Sequence, residues 1–351
     1  MPFANQRIAT NRELLAQRPV TTGLRQTRFT FDPTQVMTHL SARIIGQNDA
    51  LQSIANLLQV VRADISPEHR PLGVSLLMGP TGTGKTETVR ALAEAIHGNA
   101  DTLCRIDMNT LSQEHYASAL TGAPPGYVGS KEGHTLFDVD KIRGSYSKPG
   151  IVLFDELEKA SPEVIRSLLN VLDAGLLILP AGNRQIDFRN SLIFLTSNLG
   201  AAELSRYHGR FQHGWRRLLQ PRSGREQQIL EQALHQRFDP EFINRIDQIL
   251  HYQRLPADQT DALLELELMK LHRRLQPHQA SLEVTAEARR WLCRDYDPRF
   301  GARDLARRVR HELAPALACA LLAEPDARRF SAEQVAGALQ VQALDDTTYV
   351  K

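Results

Sequence analysis

The sequence predicts an α/β protein: a mostly parallel sheet covered by helices on both faces, followed by a smaller, mainly helical domain. Three observations carry this. From Ser41 to about Tyr252, short apolar runs alternate with amphipathic stretches, the pattern of βα units whose sheet is buried on both faces. One of those runs leads directly into a glycine-rich loop and a helix. After Pro256 the apolar runs give way to helical periodicity. A chain of 351 residues has room for two domains at about 150 residues each. We place these at residues 41–252 and 253–351, behind an N-terminal extension at 1–40.

The extension is polar and weakly periodic, with Arg7, Arg12, Arg18, Arg25 and Arg28 against Glu13 and Asp32. It is too short to bury a core of its own, so it reads as a solvated arm. Val74–Met78 reads as a buried strand, and Thr86–Ile96 as a helix with Val89, Leu92, Ala93 and Ile96 on one face. Leu103–Met108, Ile151–Phe154, Leu192–Thr196 and Ile249–Tyr252 are further strands, with a helix over Pro162–Leu172. In the second domain, Asp258–Arg274 is an amphipathic helix with Leu263, Leu264, Leu268 and Leu271 on one face. Thr285–Asp295 and Arg303–Leu322 are also helical, and Leu339–Val341 is a strand.

Composition narrows the function classes. Hydrophobic residues at 42% and charged residues at 23% exclude wholesale disorder. A net charge of +2 gives no general support for a polyanionic partner. Cys104, Cys293 and Cys319 are scattered and odd in number, which suits a reducing compartment. The N-terminal residues lack a signal-peptide core, and the longest apolar run, around Leu313–Ala323, is short and interrupted by Pro315. The expected location is cytoplasmic. Neither HExxH nor paired Cys/His spacing occurs, so no zinc site is expected, and no peptidase nucleophile pattern stands out.

The chemistry begins at Gly79-Pro80-Thr81-Gly82-Thr83-Gly84-Lys85-Thr86, which fits G-x-x-x-x-G-K-[ST]. Glycines let backbone N–H groups turn toward phosphate oxygens, and the following helix adds its positive dipole end. Lys85 should reach the β/γ-phosphates of ATP and the Thr86 hydroxyl should hold Mg²⁺. Ile151-Val152-Leu153-Phe154-Asp155-Glu156 supplies two acids at a strand end. Asp155 is placed for the Mg²⁺ shell and Glu156 for deprotonating the attacking water. Together these motifs point to ATP hydrolysis.

Seven motifs then occur in order: Arg43-Ile44-Ile45-Gly46-Gln47, the phosphate loop, Gly126-Tyr127-Val128-Gly129, Phe154–Ala160, Thr196-Ser197-Asn198, Phe242–Asp247 and Tyr296–Arg303. From about Ser41 to about Leu322 the sequence resembles the second AAA+ ATPase module of the Clp unfoldases, particularly the ClpB type. The resemblance implies that Ile44 and Ile45 line the adenine pocket, although ordinary core packing would place them similarly. It implies that Asn198 helps position water, that Arg303 senses the γ-phosphate, and that Arg245 is an arginine finger serving the neighbouring subunit's ATP. The alternatives are a routine turn asparagine, a surface arginine, and a salt bridge to Asp247 or a similar acid. A finger acting on a neighbour implies a homo-hexamer. Gly126, Tyr127, Val128 and Gly129 would form a substrate-gripping pore loop; without the resemblance, a packed hairpin tyrosine would be the simpler reading.

Two departures limit the resemblance. Residues 1–40 cannot contain the additional domains of a full ClpB disaggregase. No Ile-Gly-Leu or Ile-Gly-Phe tripeptide lies between Asn198 and Arg245, so no ClpP-like peptidase partner is expected. That interval instead carries a basic, aromatic-bearing stretch, Arg206–Arg217, which reads as a solvated insertion rather than a nucleic-acid patch. The leading reading is an ATP-driven unfoldase or remodelling chaperone acting on polypeptide. Alternatives are an ATPase dedicated to assembling or disassembling one partner complex, and a nucleic-acid-linked loader.

Overall fold

The computed structural model describes residues 27–112, 137–179, 184–209, 223–298 and 300–344. Contacts divide the chain into two compact units: Met1–Pro80 with Gly84–Tyr252, and Gln253–Lys351 together with Thr81–Thr83. Among the described residues no helix is long and apolar enough to cross a membrane.

The first unit runs α1 (Pro33–Ser41), α2 (Asn48–Arg62), β1 (Gly73–Met78), α3 (Lys85–His97), β2 (Cys104–Asp107), α4 (Val139–Arg143), β3 (Gly150–Asp155), α5 (Pro162–Ala174), the hairpin β4 (Leu176–Leu179) and β5 (Arg184–Asp187), β6 (Ser191–Ser197), α6 (Ala201–Gly209), α7 (Ser223–Arg237), α8 (Pro240–Ile243) and β7 (Gln248–His251). Five strands form one sheet in the order β2-β3-β6-β1-β7, and every neighbouring pair is parallel.

Side-chain alternation explains why these strands read as continuous apolar runs. Leu76, Met78, Val152, Phe154, Ile193 and Leu195 enter one buried cluster. Their neighbours Leu77, Ile151, Leu153, Leu192 and Phe194 enter the other. Both faces of the sheet are therefore apolar, as parallel sheets covered by helices require. Helix boundaries follow local chemistry: the Ser161 side chain caps α5, Pro162 lies in its first turn, and Gly175 ends it in the left-handed region.

Residues 27–41 correct the solvated-arm expectation. Phe29 is 1% exposed, and Phe31, Val36 and Leu40 join it in the core against the β1–α3 side of the sheet. Arg28 lies over the Phe29 ring, pairs with Asp64 and donates to Asn190. The Thr30 N–H donates to the Ser147 carbonyl, and Asp32 caps α1. The signal was only two phenylalanines at i and i+2 before a helix of nine residues, too brief for a periodicity test.

The second unit carries α9 (Thr260–Leu275), β8 (Ser281–Val284), α10 (Ala286–Cys293), α11 (Ala302–Arg308), α12 (Ala314–Ala323), β9 (Arg329–Val335) and β10 (Ala338–Ala343). It is mainly helical, with a three-stranded sheet β10-β9-β8 in which the expected C-terminal strand is β10. The expected helix over Arg303–Leu322 is resolved into α11, a π-helical turn over Val309–Leu313, and α12. Pro315 falls in the first turn of α12, where a missing N–H costs little, and the widened turn before it absorbs the break in the ladder.

Phe29→Ala should destabilise the first unit by about 3–5 kcal/mol, the cost of emptying a buried aromatic site, measured by denaturant unfolding. A change within about 0.5 kcal/mol, usual for surface positions, would restore the solvated-arm reading.

Candidate active site

Strands β3, β6 and β1 are adjacent and parallel, so their carboxyl ends form one row. β1 ends at the phosphate-loop motif, β3 ends at Asp155, and β6 is followed by Asn198. Ligands of open α/β sheets bind at such edges. Two glycines show why the loop tolerates little substitution. Gly79 has φ +148°, and a Cβ there would stand 2.2 Å from the Tyr252 carbonyl oxygen. Gly84, at φ +100°, is the left-handed N-cap of α3. The helix therefore begins with its N–H groups at the loop, which is an anion-binding arrangement. Beneath it, the Tyr252 hydroxyl donates to Thr88 at 2.9 Å, and burial pushes the phenol's pKa up.

Lys85 Nζ donates to the carbonyls of Gly79 at 2.6 Å and Pro80 at 2.7 Å, and to Asn198 Oδ1 at 2.8 Å. The backbone N–H of Asn198 in turn donates to Glu158 Oε1 at 3.2 Å. Thr86 Oγ1 lies 3.2 Å from Asp155 Oδ1. Asp155 also accepts from the Thr196 hydroxyl and from two nitrogens of Arg105. Glu156 adopts φ +58°, ψ +52°, a left-handed conformation that is uncommon outside glycine and often marks functional sites. Its N–H donates to Thr196 Oγ1 at 3.0 Å. One hydroxyl thus orients both acids, donating to one and accepting from the backbone of the other.

The sequence pointed to Lys85, Thr86, Asp155, Glu156 and Asn198, and the fold brings them together. It did not point to Thr196, Glu158 or Arg105 as individual contributors, although Thr196 and Glu158 lie within motifs quoted above. Ile44 is buried, and its Cδ1 lies 3.9 Å from where a Cβ on Gly84 would stand. Ile45 is half-buried. Their segment is fixed to α3 by a bidentate Arg43–Glu94 pair at 2.5 and 2.7 Å, and the Glu94 hydrogen bond raises the Arg43 pKa.

Arg245 lies elsewhere. It precedes β7, next to Asp247, whose carboxylate accepts from Val74 N at the amino end of β1. It is therefore on the opposite edge of a parallel sheet from the phosphate loop, across a six-residue strand of about 20 Å at about 3.3 Å per residue. Its partners are Glu241 and Asp173; Asp247 pairs with Arg70 instead. Arg303 belongs to the second unit and is exposed on the first turn of α11. Its neighbours Arg307 and Arg308 are held by buried Asp304. Gly126, Tyr127, Val128 and Gly129 lie outside the described residues, as do 210–217 of the basic stretch; Arg206 pairs with Glu203.

The donor set suits a magnesium nucleotide. Thr86 and Asp155 offer the oxygen ligands a hard cation takes, beside an anion-binding helix start and a lysine. Comparison with known proteins supports the nucleotide. Residues 70–249 match the AAA domain (Cdc48 subfamily), and residues 255–329 match the C-terminal, D2-small domain of ClpB protein. The chain is 53% identical over 302 residues to the ATP-dependent protease ATP-binding subunit-like protein AmiB of Pseudomonas aeruginosa, covering 85% of this chain and 81% of that one. It is 39% identical over 285 residues to the chaperone protein ClpB of Propionibacterium freudenreichii, covering 81% of this chain but 31% of ClpB. Its fold is similar to Hsp104 as reconstructed by cryo-electron microscopy in a closed state with ATPγS and FITC-casein. The TM-score is 0.75 at 26% identity, over 89% of this chain and 52% of that one.

Fold and site together define a P-loop ATPase with an appended helical domain. The chain belongs to the AAA domain family (Cdc48 subfamily), within its Clp/ClpB-type branch.

Thr196→Val keeps the side-chain shape and removes the hydroxyl that orients Asp155 and Glu156. ATP turnover should fall about 10- to 100-fold, the usual cost of losing such a supporting hydrogen bond, and stability should fall by about 1–3 kcal/mol because two buried polar groups lose their partner. Steady-state ATPase kinetics beside a thermal melt check this, and turnover within twofold of wild type would remove Thr196 from the role.

Proposed function

We propose that this ATPase works as a homo-hexameric remodelling chaperone whose ATP sites are completed by Arg245 of the neighbouring subunit. The observation that carries this reading is the position of Arg245 on the sheet edge opposite its own phosphate loop. A guanidinium there has no path to its own ATP, yet a ring would present it to the next subunit's. Lys85 holds the β/γ-phosphates, Glu156 takes a proton from the attacking water, and Asn198 orients that water. Ile44 and Ile45 take the adenine, and Arg303 answers to the γ-phosphate. Mg²⁺ held by Thr86 and Asp155 would screen the phosphate charge. Arg245 neutralises charge gathering on the transferred phosphoryl group.

The work output is assigned to Tyr127 in its Gly-Tyr-Val-Gly setting. Casein in the name of the Hsp104 complex supports polypeptide as the substrate class. The name of the P. aeruginosa relative points to a protease partner, whereas the reading adopted here leaves remodelled polypeptide intact.

Arg245→Ala should retain ATP affinity and lose turnover by about 10³-fold, the scale of an arginine finger. Mixed with Glu156→Gln, itself inactive, it should recover measurable activity, because some interfaces then pair an intact Glu156 with an intact Arg245. No recovery in a mixture shown by mass to co-assemble would defeat the shared site.

Tyr127→Ala should leave basal ATPase within about twofold and abolish unfolding of a fluorescent reporter bearing an unstructured tail, while Tyr127→Phe keeps the aromatic face and the activity. Equal unfolding by Tyr127→Ala and wild type would remove threading from the mechanism.

A further inference from the structure

Among the described residues, Arg105 makes the one ion pair of Asp155. It is the second residue of β2, the edge strand beside β3, where Asp107 is in register with Asp155. Its side chain reaches along that edge so that Nε at 3.0 Å and Nη2 at 2.6 Å both donate to Asp155 Oδ2. Thr86 Oγ1 straddles the carboxylate, 3.2 Å from Oδ1 and 3.4 Å from the same Oδ2 that Arg105 holds, and Oδ1 also accepts from Thr196. Asp155 is 7% exposed and Arg105 52% exposed. The carboxylate is thus fixed, while the guanidinium stands at the solvent side of the site on a long stem.

We propose that Arg105 is a positioning residue that occupies the cation side of Asp155 until a divalent cation arrives and then competes with that cation for the carboxylate. The inference rests on the reading of Thr86 and Asp155 as the Mg²⁺ ligands. Its logic is electrostatic. A bare carboxylate beside the phosphate loop repels an incoming polyphosphate, and a guanidinium on that carboxylate cancels the repulsion. The same guanidinium repels Mg²⁺ and blocks Oδ2. Arg105 therefore assists nucleotide binding without metal and opposes metal binding. A purely structural ion pair of this exposure would do neither; it would contribute modestly to stability and leave the two ligands alone.

The test uses the full chain and a fluorescent ATP analogue. Its affinity is measured in EDTA, and the Mg²⁺ concentration giving half of the metal-dependent change is then measured at fixed analogue. Arg105→Gln should weaken binding in EDTA by roughly threefold to fivefold and lower the half-saturating Mg²⁺ concentration by roughly the same factor, the range open to a partly exposed ion pair. Arg105→Lys keeps the charge and should restore most of the affinity in EDTA. In an Asp155→Asn background the carboxylate that Arg105 guards is gone, so Arg105→Gln should no longer lower the half-saturating Mg²⁺ concentration. Any result other than the paired, opposite shift in Arg105→Gln overturns the proposal, including a parallel loss of both affinities or no change in either. A wild-type chain whose nucleotide binding ignores Mg²⁺ would overturn the metal-site reading and the proposal together. Normal Mg²⁺ dependence in the wild type, repeated unchanged in Arg105→Gln, would overturn the role of Arg105 alone.

Discussion

The buried carboxylate of Asp155 is the interaction on which the geometry of the site depends. A charge so little exposed would be costly if left unpaired, and three side chains from three elements answer it: Thr86 of α3, Thr196 of β6 and Arg105 of β2. Those contacts hold the start of α3 and two strands neighbouring β3 around one group. The network continues from there. Thr196 accepts from the Glu156 N–H and so supports the left-handed backbone that turns the chain into the short 3₁₀ turn Leu157–Lys159. Glu158 in that turn receives the Asn198 N–H, and Asn198 receives Lys85. A hydrogen-bonded path thus runs from one acid through the second acid's backbone to the phosphate-loop lysine.

Sheet topology sets the second constraint. Parallel strands collect the loop, both acids and Asn198 at one edge and leave the segment around Arg245 and Asp247 at the other. The contacts that hold Arg245 in the isolated chain are weak ones. Its side chain is 26% exposed, and its acidic partners Asp173 and Glu241 are mostly solvated, so exchanging them for another anion costs little. Asp247 differs: its carboxylate accepts from Val74 N and pairs with Arg70, which anchors the segment while leaving the arginine beside it exchangeable.

Much of this was legible in the sequence because the information is local or periodic. Strands buried on both faces appear as unbroken apolar runs, and the phosphate loop and strand-end acids have fixed spacing. The remainder depended on adjacency. Arg105 sits on a strand that alternates apolar and charged residues, and nothing in its spacing reveals that β2 lies beside β3 in the register that brings it to Asp155. Thr196 stood inside a quoted motif, but its double role needs the β3–β6 pairing and the backbone of Glu156. Phe29 and Phe31 give no periodic signal, because two residues make no period. The β4–β5 hairpin is likewise illegible, because its strands are only four residues each.

The bond between Lys85 and Asn198 gives the network a direction. Lys85 is held by two loop carbonyls and one side-chain amide oxygen, and an ammonium has only three N–H donors. A phosphate oxygen recruiting Lys85 competes with these acceptors for the ammonium's donors. A loop carbonyl is fixed by the backbone, whereas the Asn198 amide can rotate, so Asn198 is the partner most easily released. The released amide still stands at the end of β6 with its backbone N–H on Glu158, next to the strand that ends at Asp155 and Glu156. The Lys85–Asn198 bond therefore ties the phosphate loop to the end of β6, beside the strand that carries the two acids.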